Sequence, residues 1–204
     1  MTQRHSDRIW LFARADARPS KPLMPDDPSP ARQFRLVDLV LLHHGGERQV
    51  TSTAEWMDAA EATRVFHWNQ MDENDARRLS RTMSGKSVGL VLSGGGARAY
   101  AHIGVMRALR EANCPVDFIG GASMGAIVGA AIACGWDDEE IHRRIYQAFV
   151  ETNPLSDYRL PVVGLVKGHK VDARLKEHFG DRLIEDLPIP FFAVSTNLTQ
   201  GTFK

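Results

Sequence analysis

Ser87-Val88-Gly89-Leu90-Val91-Leu92-Ser93-Gly94-Gly95-Gly96 and, further along, Val116-Asp117-Phe118-Ile119-Gly120-Gly121-Ala122-Ser123-Met124-Gly125 are the stretches that decide the fold. In each, an apolar run stops on glycines and gives way to helical periodicity. Residues 87–92 predict a strand, and the 3.6-residue period then carries a helix to about residue 113. Pro115 stops that helix, and residues 116–119 predict a second strand. A helix of small apolar residues follows Ser123 as far as Cys134, with Gly135 as its stop. A strand, helix, strand and helix in this order form a right-handed β-α-β unit, so the sheet is mainly parallel and covered on both faces.

Toward the C-terminus, Asp137 or Asp138 caps a helix over residues 139–150, residues 154–168 read as loop, 171–179 as helix and 191–196 as strand. Toward the N-terminus, residues 8–14 predict a strand, and Pro19, Pro22, Pro25, Pro28 and Pro30 mark an irregular linker over 19–30. Residues 36–42 are almost wholly apolar apart from Asp38 and predict a buried strand. Residues 53–62 predict a helix capped by Thr51, Ser52 or Thr53, then 64–68 a strand and 73–83 a polar helix. Residues 1–82 therefore read as a small, incomplete α/β connecting lobe, and 83–204 as a larger α/β domain. No internal repeat is visible.

The composition of the 204 residues is that of a globular protein, with 43% hydrophobic and 25% charged residues. Basic and acidic residues balance at 25 each, which argues against a broad nucleic-acid-binding face. Cys114 and Cys134 fit neither a zinc ribbon nor a redox pair and read as reduced, buried small hydrophobes. Residues 1–16 lack the apolar core of a signal peptide, and the longest apolar run, 126–133, falls short of the ~20 residues of a bilayer span. A cytoplasmic location is expected.

Gly121-Ala122-Ser123-Met124-Gly125 matches Gly-x-Ser-x-Gly, set between a strand and a helix as a nucleophile elbow requires. A Cβ at Gly121 or Gly125 would collide with the neighbouring strand or helix. Ser123 would then sit exposed at a helix N-terminus, where the dipole favours developing negative charge, with the Met124 N–H as one oxyanion donor. The competing reading is that Ser123 is merely an N-cap. Gly94-Gly95-Gly96-Ala97-Arg98, at the end of the preceding strand, opens on the same sheet edge and can aim backbone N–H groups at an oxyanion. Gly94, Gly96 and Ala99 also fit a dinucleotide fingerprint, but Asp117 stands near the start of the second strand rather than at its end, where the ribose would lie. No Gly-Lys-Ser/Thr follows the glycines, so a P-loop is excluded.

Taken together, Gly94-Gly95-Gly96-Ala97-Arg98-Ala99, His102-Ile103-Gly104-Val105 and Gly121-Ala122-Ser123-Met124-Gly125 resemble the patatin-like phospholipase family. Residues 38–44, Glu55-Trp56, 179–187 and Ser195-Thr196-Asn197-Leu198-Thr199 resemble its bacterial neuropathy target esterase-like branch. The resemblance implies a three-layer α/β sandwich that hydrolyses phospholipid or lysophospholipid esters by a Ser–Asp dyad, without metal or organic cofactor. It implies Ser123 as nucleophile, Gly94, Gly95, Gly96, Ala97 and Met124 around the oxyanion, and Gly121, Gly125 and Arg98 in support. It also implies contact with a membrane surface, at the inner face, and longer relatives with upstream cyclic-nucleotide-binding domains, none of which is visible here.

One departure is large. The family's aspartate lies in an Asp-Gly motif, and none of Asp137, Asp138, Asp157, Asp172, Asp181 or Asp186 precedes a glycine. The chain thus reads as truncated before the dyad base, which keeps open a catalytically inactive lipid- or phosphate-binding regulatory fragment. Ala99 in place of the usual glycine is a mild departure. His102 reads as a packing or loop-bonding residue rather than a triad member. Arg98 either steers a phosphate head group or, the preferred reading, braces the loop through backbone carbonyls. His43 and His44 point to opposite faces of a strand, which is poor metal geometry. Residues 158–166 are the expected route of lipid entry, against an ordinary packed loop.

Overall fold

Three parallel strands, β1 (Arg8–Arg14), β2 (Leu36–His43) and β3 (Arg64–Asn69), pair in that order, with Phe12 opposite Val40 and Val40 opposite Phe66. The computed structural model describes residues 8–19, 23, 35–45, 53–151, 169–197 and 201–203. The chain forms two compact units that interleave along the sequence. One comprises Met1–Leu90, Pro115–Ile119 and Ile184–Phe191; the other comprises Val91–Cys114, Gly120–Leu183 and Phe192–Lys204.

In the first unit the two-residue period of β2 serves two cores. Leu39 and Leu41 pack with Trp56 of α1 (Thr53–Ala60), while Val40 packs with Phe66 and with Leu79 of α2 (Glu73–Met83). Asp38, the one polar residue expected inside an apolar strand, is 0% exposed. Arg64 holds both its carboxylate oxygens at 2.8 Å, and Arg8 lies 3.2 Å away. A buried carboxylate needs such paired donors to stay ionised. Thr53 is already helical and its hydroxyl is buried without a partner, so it does not cap α1; Thr51 and Ser52 lie outside the described residues.

The second sheet has the order β4 (Gly89–Leu92), β5 (Phe118–Ala122), β6 (Phe191–Val194). A 3-10 turn, Gly96–Tyr100, and α3 (Ala101–Glu111) connect β4 to β5. Then come α4 (Met124–Ala133), α5 (Asp138–Tyr146), a π-helical turn at Gln147–Glu151, α6 (His169–Phe179) and a 3-10 turn at Ile184–Asp186. A short antiparallel pair, β7 (Thr196–Asn197) and β8 (Thr202–Phe203), follows β6. The apolar α4 is a core helix: Val128, Ala131, Ile132 and Ala133 are at most 1% exposed.

Several boundaries differ from expectation. β5 starts and ends later than the expected 116–119, because Gly120, Gly121 and Ala122 are strand rather than turn. A Cβ on Gly120 would meet the Phe192 ring at 2.1 Å, so only glycine allows β5 and Phe192 to pack there. Cys114 is exposed rather than buried; Cys134 is half-buried, and burial pushes its thiol pKa up. The expected loop over 154–168 lies outside the described residues. Among the described residues no helix is long and apolar enough to cross a membrane.

Candidate active site

Ser123 connects the end of β5 to the start of α4 with φ 53° and ψ −130°. Only two other described non-glycine residues have positive φ, Glu61 and Asn113. Both come just after a helix, α1 or α3, where a left-handed residue is an ordinary ending. Ser123 comes before one. Its backbone occupies a region that costs an L-residue of order 1–3 kcal/mol and that recurs at active sites.

The glycines around it explain how the turn closes. A Cβ on Gly121 would lie 2.6 Å from the Ala126 backbone, and one on Gly125 would lie 2.3 Å from Ser93 O and 2.4 Å from Leu92 O. The first turn of α4 therefore rests against the end of β4, the strand that leads into the glycine loop. A Cβ on Gly94 would stand 3.0 Å from Ser123 Cβ and 3.7 Å from its Oγ, which places the two motifs side by side. Gly96, at φ 55°, lets the loop turn sharply into the 3-10 turn.

Ser123 is not a conventional cap. Asp72 caps α2 from extended backbone and accepts from Asn74 N–H, and Asp137 caps α5 in the same way through Glu140 N–H. The Ser123 hydroxyl makes no capping hydrogen bond. Arg98 N–H closes on Gly95 O and the Ala126 and Ile127 N–H groups on Ser123 O, so only the amides before them, Gly96, Ala97, Met124 and Gly125, have no intrahelical acceptor. These amides and the Ser123 hydroxyl, which makes no capping bond, lie at the ends of the two glycine-flanked strands.

The other expected residues fall as follows. His102 Nε2 donates to Ser93 O at 2.9 Å and so ties α3 to the glycine loop. Arg98 is exposed, and its side chain takes no partner among the described residues; its backbone N–H donates to Gly95 O at 3.2 Å. Any bracing by Arg98 is therefore by backbone, not by its guanidinium. Asp117 is 0% exposed, with its oxygens held by Arg81 and by the Val88 N–H, which removes the one carboxylate a dinucleotide reading had to consider. Asp137 and Asp138 serve the start of α5, Asp138 by pairing with Arg110 and Arg107. Asp181 pairs with Lys176. Asp157 and the expected lipid-entry stretch 158–166 lie outside the described residues.

His43 is buried and bonds His67 at 3.0 Å, while His44 is exposed and bonds Gln70. His67 Nε2 donates in turn to Glu185 O at 2.8 Å. No cluster of three metal-ligating side chains occurs among the described residues. Sequence reasoning missed the Arg81–Asp117 pair, whose only signal is a lone aspartate at the mouth of an apolar strand.

A patatin-like phospholipase family model matches residues 90–204. An uncharacterized NTE family protein of Mycobacterium tuberculosis is 42% identical over 123 residues, 60% of this chain and 21% of the relative. Lysophospholipase NTE1 of Kluyveromyces lactis is 40% identical over 133 residues, 63% of this chain and 9% of its own length. Neuropathy target esterase sws of Drosophila persimilis is 39% identical over 139 residues, 64% of this chain and 9% of its own. The chain thus spans about a fifth or less of these relatives.

Proposed function

The chain belongs to the patatin-like phospholipase family, and on that premise we propose that it carries the nucleophile and oxyanion site of a serine hydrolase of phospholipid or lysophospholipid esters. The observation that carries this reading is the strained, uncapped Ser123 beside Gly94. Ser123 Oγ attacks the acyl carbonyl. The amides of Gly95, Gly96 and Ala97 on one side and of Met124 on the other receive the developing oxyanion. Collapse of that oxyanion breaks the acyl C–O bond and releases the alcohol half of the lipid, which takes up the proton drawn from Ser123. Water then attacks the acyl-enzyme, releasing the fatty acid and restoring the Ser123 hydroxyl.

Deprotonation of Ser123 needs a base, because the hydroxyl is a weak nucleophile at its ordinary pKa. The base we infer is an aspartate in an Asp-Gly pattern, which these 204 residues do not contain. Arg98, exposed and with no side-chain partner among the described residues, favours an anionic phosphate near the ester over a neutral glyceride, and contact with a membrane surface follows from such a substrate. The relatives named lysophospholipase support that substrate class.

The exposed Arg98 beside the glycine loop also fits a second reading, lipid or phosphate binding without catalysis. Intact mass after exposure to a fluorophosphonate separates the two. One adduct, lost in Ser123→Ala, supports the hydrolase; an adduct that persists in Ser123→Ala refutes Ser123 as nucleophile. Absence of any adduct, with retained binding of lysophospholipid micelles, supports the silent fragment.

A further inference from the structure

The two strands that carry the site, β4 into the glycine loop and β5 into Ser123, are tied together near their starts by one carboxylate. Asp117 is 0% exposed. Arg81 of α2 reaches it with Nε at 3.1 and 3.0 Å from its two oxygens and with Nη2 at 2.6 Å. The Val88 N–H, just before β4, donates to Asp117 Oδ2 at 2.9 Å, and Asp117 N–H returns a bond to Val88 O at 2.8 Å. Side chain and backbone thus fix the same pairing of residue 88 with residue 117.

Only a guanidinium fits this arrangement. Its planar fork serves both carboxylate oxygens at once, which the point charge of a lysine does not. The register it protects matters because adjacent residues of a strand are about 3.3 Å apart, so a slip of one residue would separate Gly94 from Ser123 by about that distance.

We propose that Arg81 is a positioning residue for Ser123, acting through Asp117, from which the chain runs straight along β5 into Ser123. Arg81 lies outside residues 90–204, the span the family model matches. The proposal rests on the hydrolase reading above for its kinetic test, and on the fold alone for its second test.

The experiment compares Arg81→Lys with Asp72→Ala, which weakens the same helix at its cap and leaves the clamp intact. Both are matched by thermal melting before any rate is read. In active protein, Arg81→Lys is expected to lower kcat roughly 10- to 100-fold with KM little changed, as misplacement of a distant support does. Asp72→Ala is expected to leave kcat within about twofold, the effect of losing a surface cap. Hydrogen exchange over residues 120–125 is read on the same samples and requires no activity. Faster exchange there in Arg81→Lys but not in Asp72→Ala supports the clamp, even if the wild type proves inactive and the hydrolase reading fails. Equal exchange in the two variants, or a kcat loss that tracks melting temperature in both, overturns it.

Discussion

Two helices begin on a residue that sequence offers as a cap, and they begin differently. At α5, Asp137 sits in extended backbone at φ −73° and takes the Glu140 N–H at 2.8 Å. At α4, Ser123 sits at φ 53° and its hydroxyl makes no capping bond. One start lowers the energy of its helix; the other stores strain and keeps a polar group available. The residue types do not reveal the difference, since serine and aspartate are both good caps. The surroundings do. Gly94 leaves a Cβ barely room beside Ser123, and Gly121 and Gly125, two residues to either side, leave none against Ala126 and against Leu92 and Ser93.

The comparison is sharpened first by removing the hydroxyl. In catalytically competent protein, Ser123→Ala should lower esterase turnover by roughly 10⁴- to 10⁶-fold, as loss of a serine nucleophile does. Unfolding midpoints should stay close to wild type, because no capping bond is lost. Asp137→Ala should do the opposite, costing about 1 kcal/mol in denaturant unfolding and leaving turnover untouched.

The glycine collar is tested by Gly125→Ala, whose Cβ would fall 2.3 Å from a backbone carbonyl at the end of β4. Overpacking of that kind should cost about 3 kcal/mol, read as a fall in the denaturation midpoint. If Gly125→Ala is as stable as wild type, α4 does not rest on β4 as described.

Much of this was legible in the sequence. Arg8–Arg14 and Glu73–Met83 form with the expected ends, because their periodicity is unambiguous and their neighbours are turn or cap residues. Gly-x-Ser-x-Gly and the glycine loop were visible as motifs, and their adjacency followed from strand order. What escaped was set by tertiary contact. Gly120 and Gly121 look like turn residues, yet they are strand because Phe192 and Ala126 occupy the space where side chains would go. Asp38 and Asp117 look like interruptions, yet Asp38 is held by Arg64 and Arg8 and Asp117 by Arg81. The stretch 96–100 follows the helical period but closes as a 3-10 turn, with Gly95 at φ 155° and Gly96 at φ 55° ahead of α3. A sequence shows the arginines and aspartates but not which of them meet.

The most direct test of the account is the unfolding free energy of Ser123→Gly against wild type. Glycine takes φ 53° without penalty, so if Ser123 is a strained elbow the variant should be more stable by about 1 kcal/mol while losing the hydroxyl that the proposed reaction uses. Were Ser123 an ordinary cap, the same change would lower stability by a few tenths of a kcal/mol, and that result would contradict the central claim.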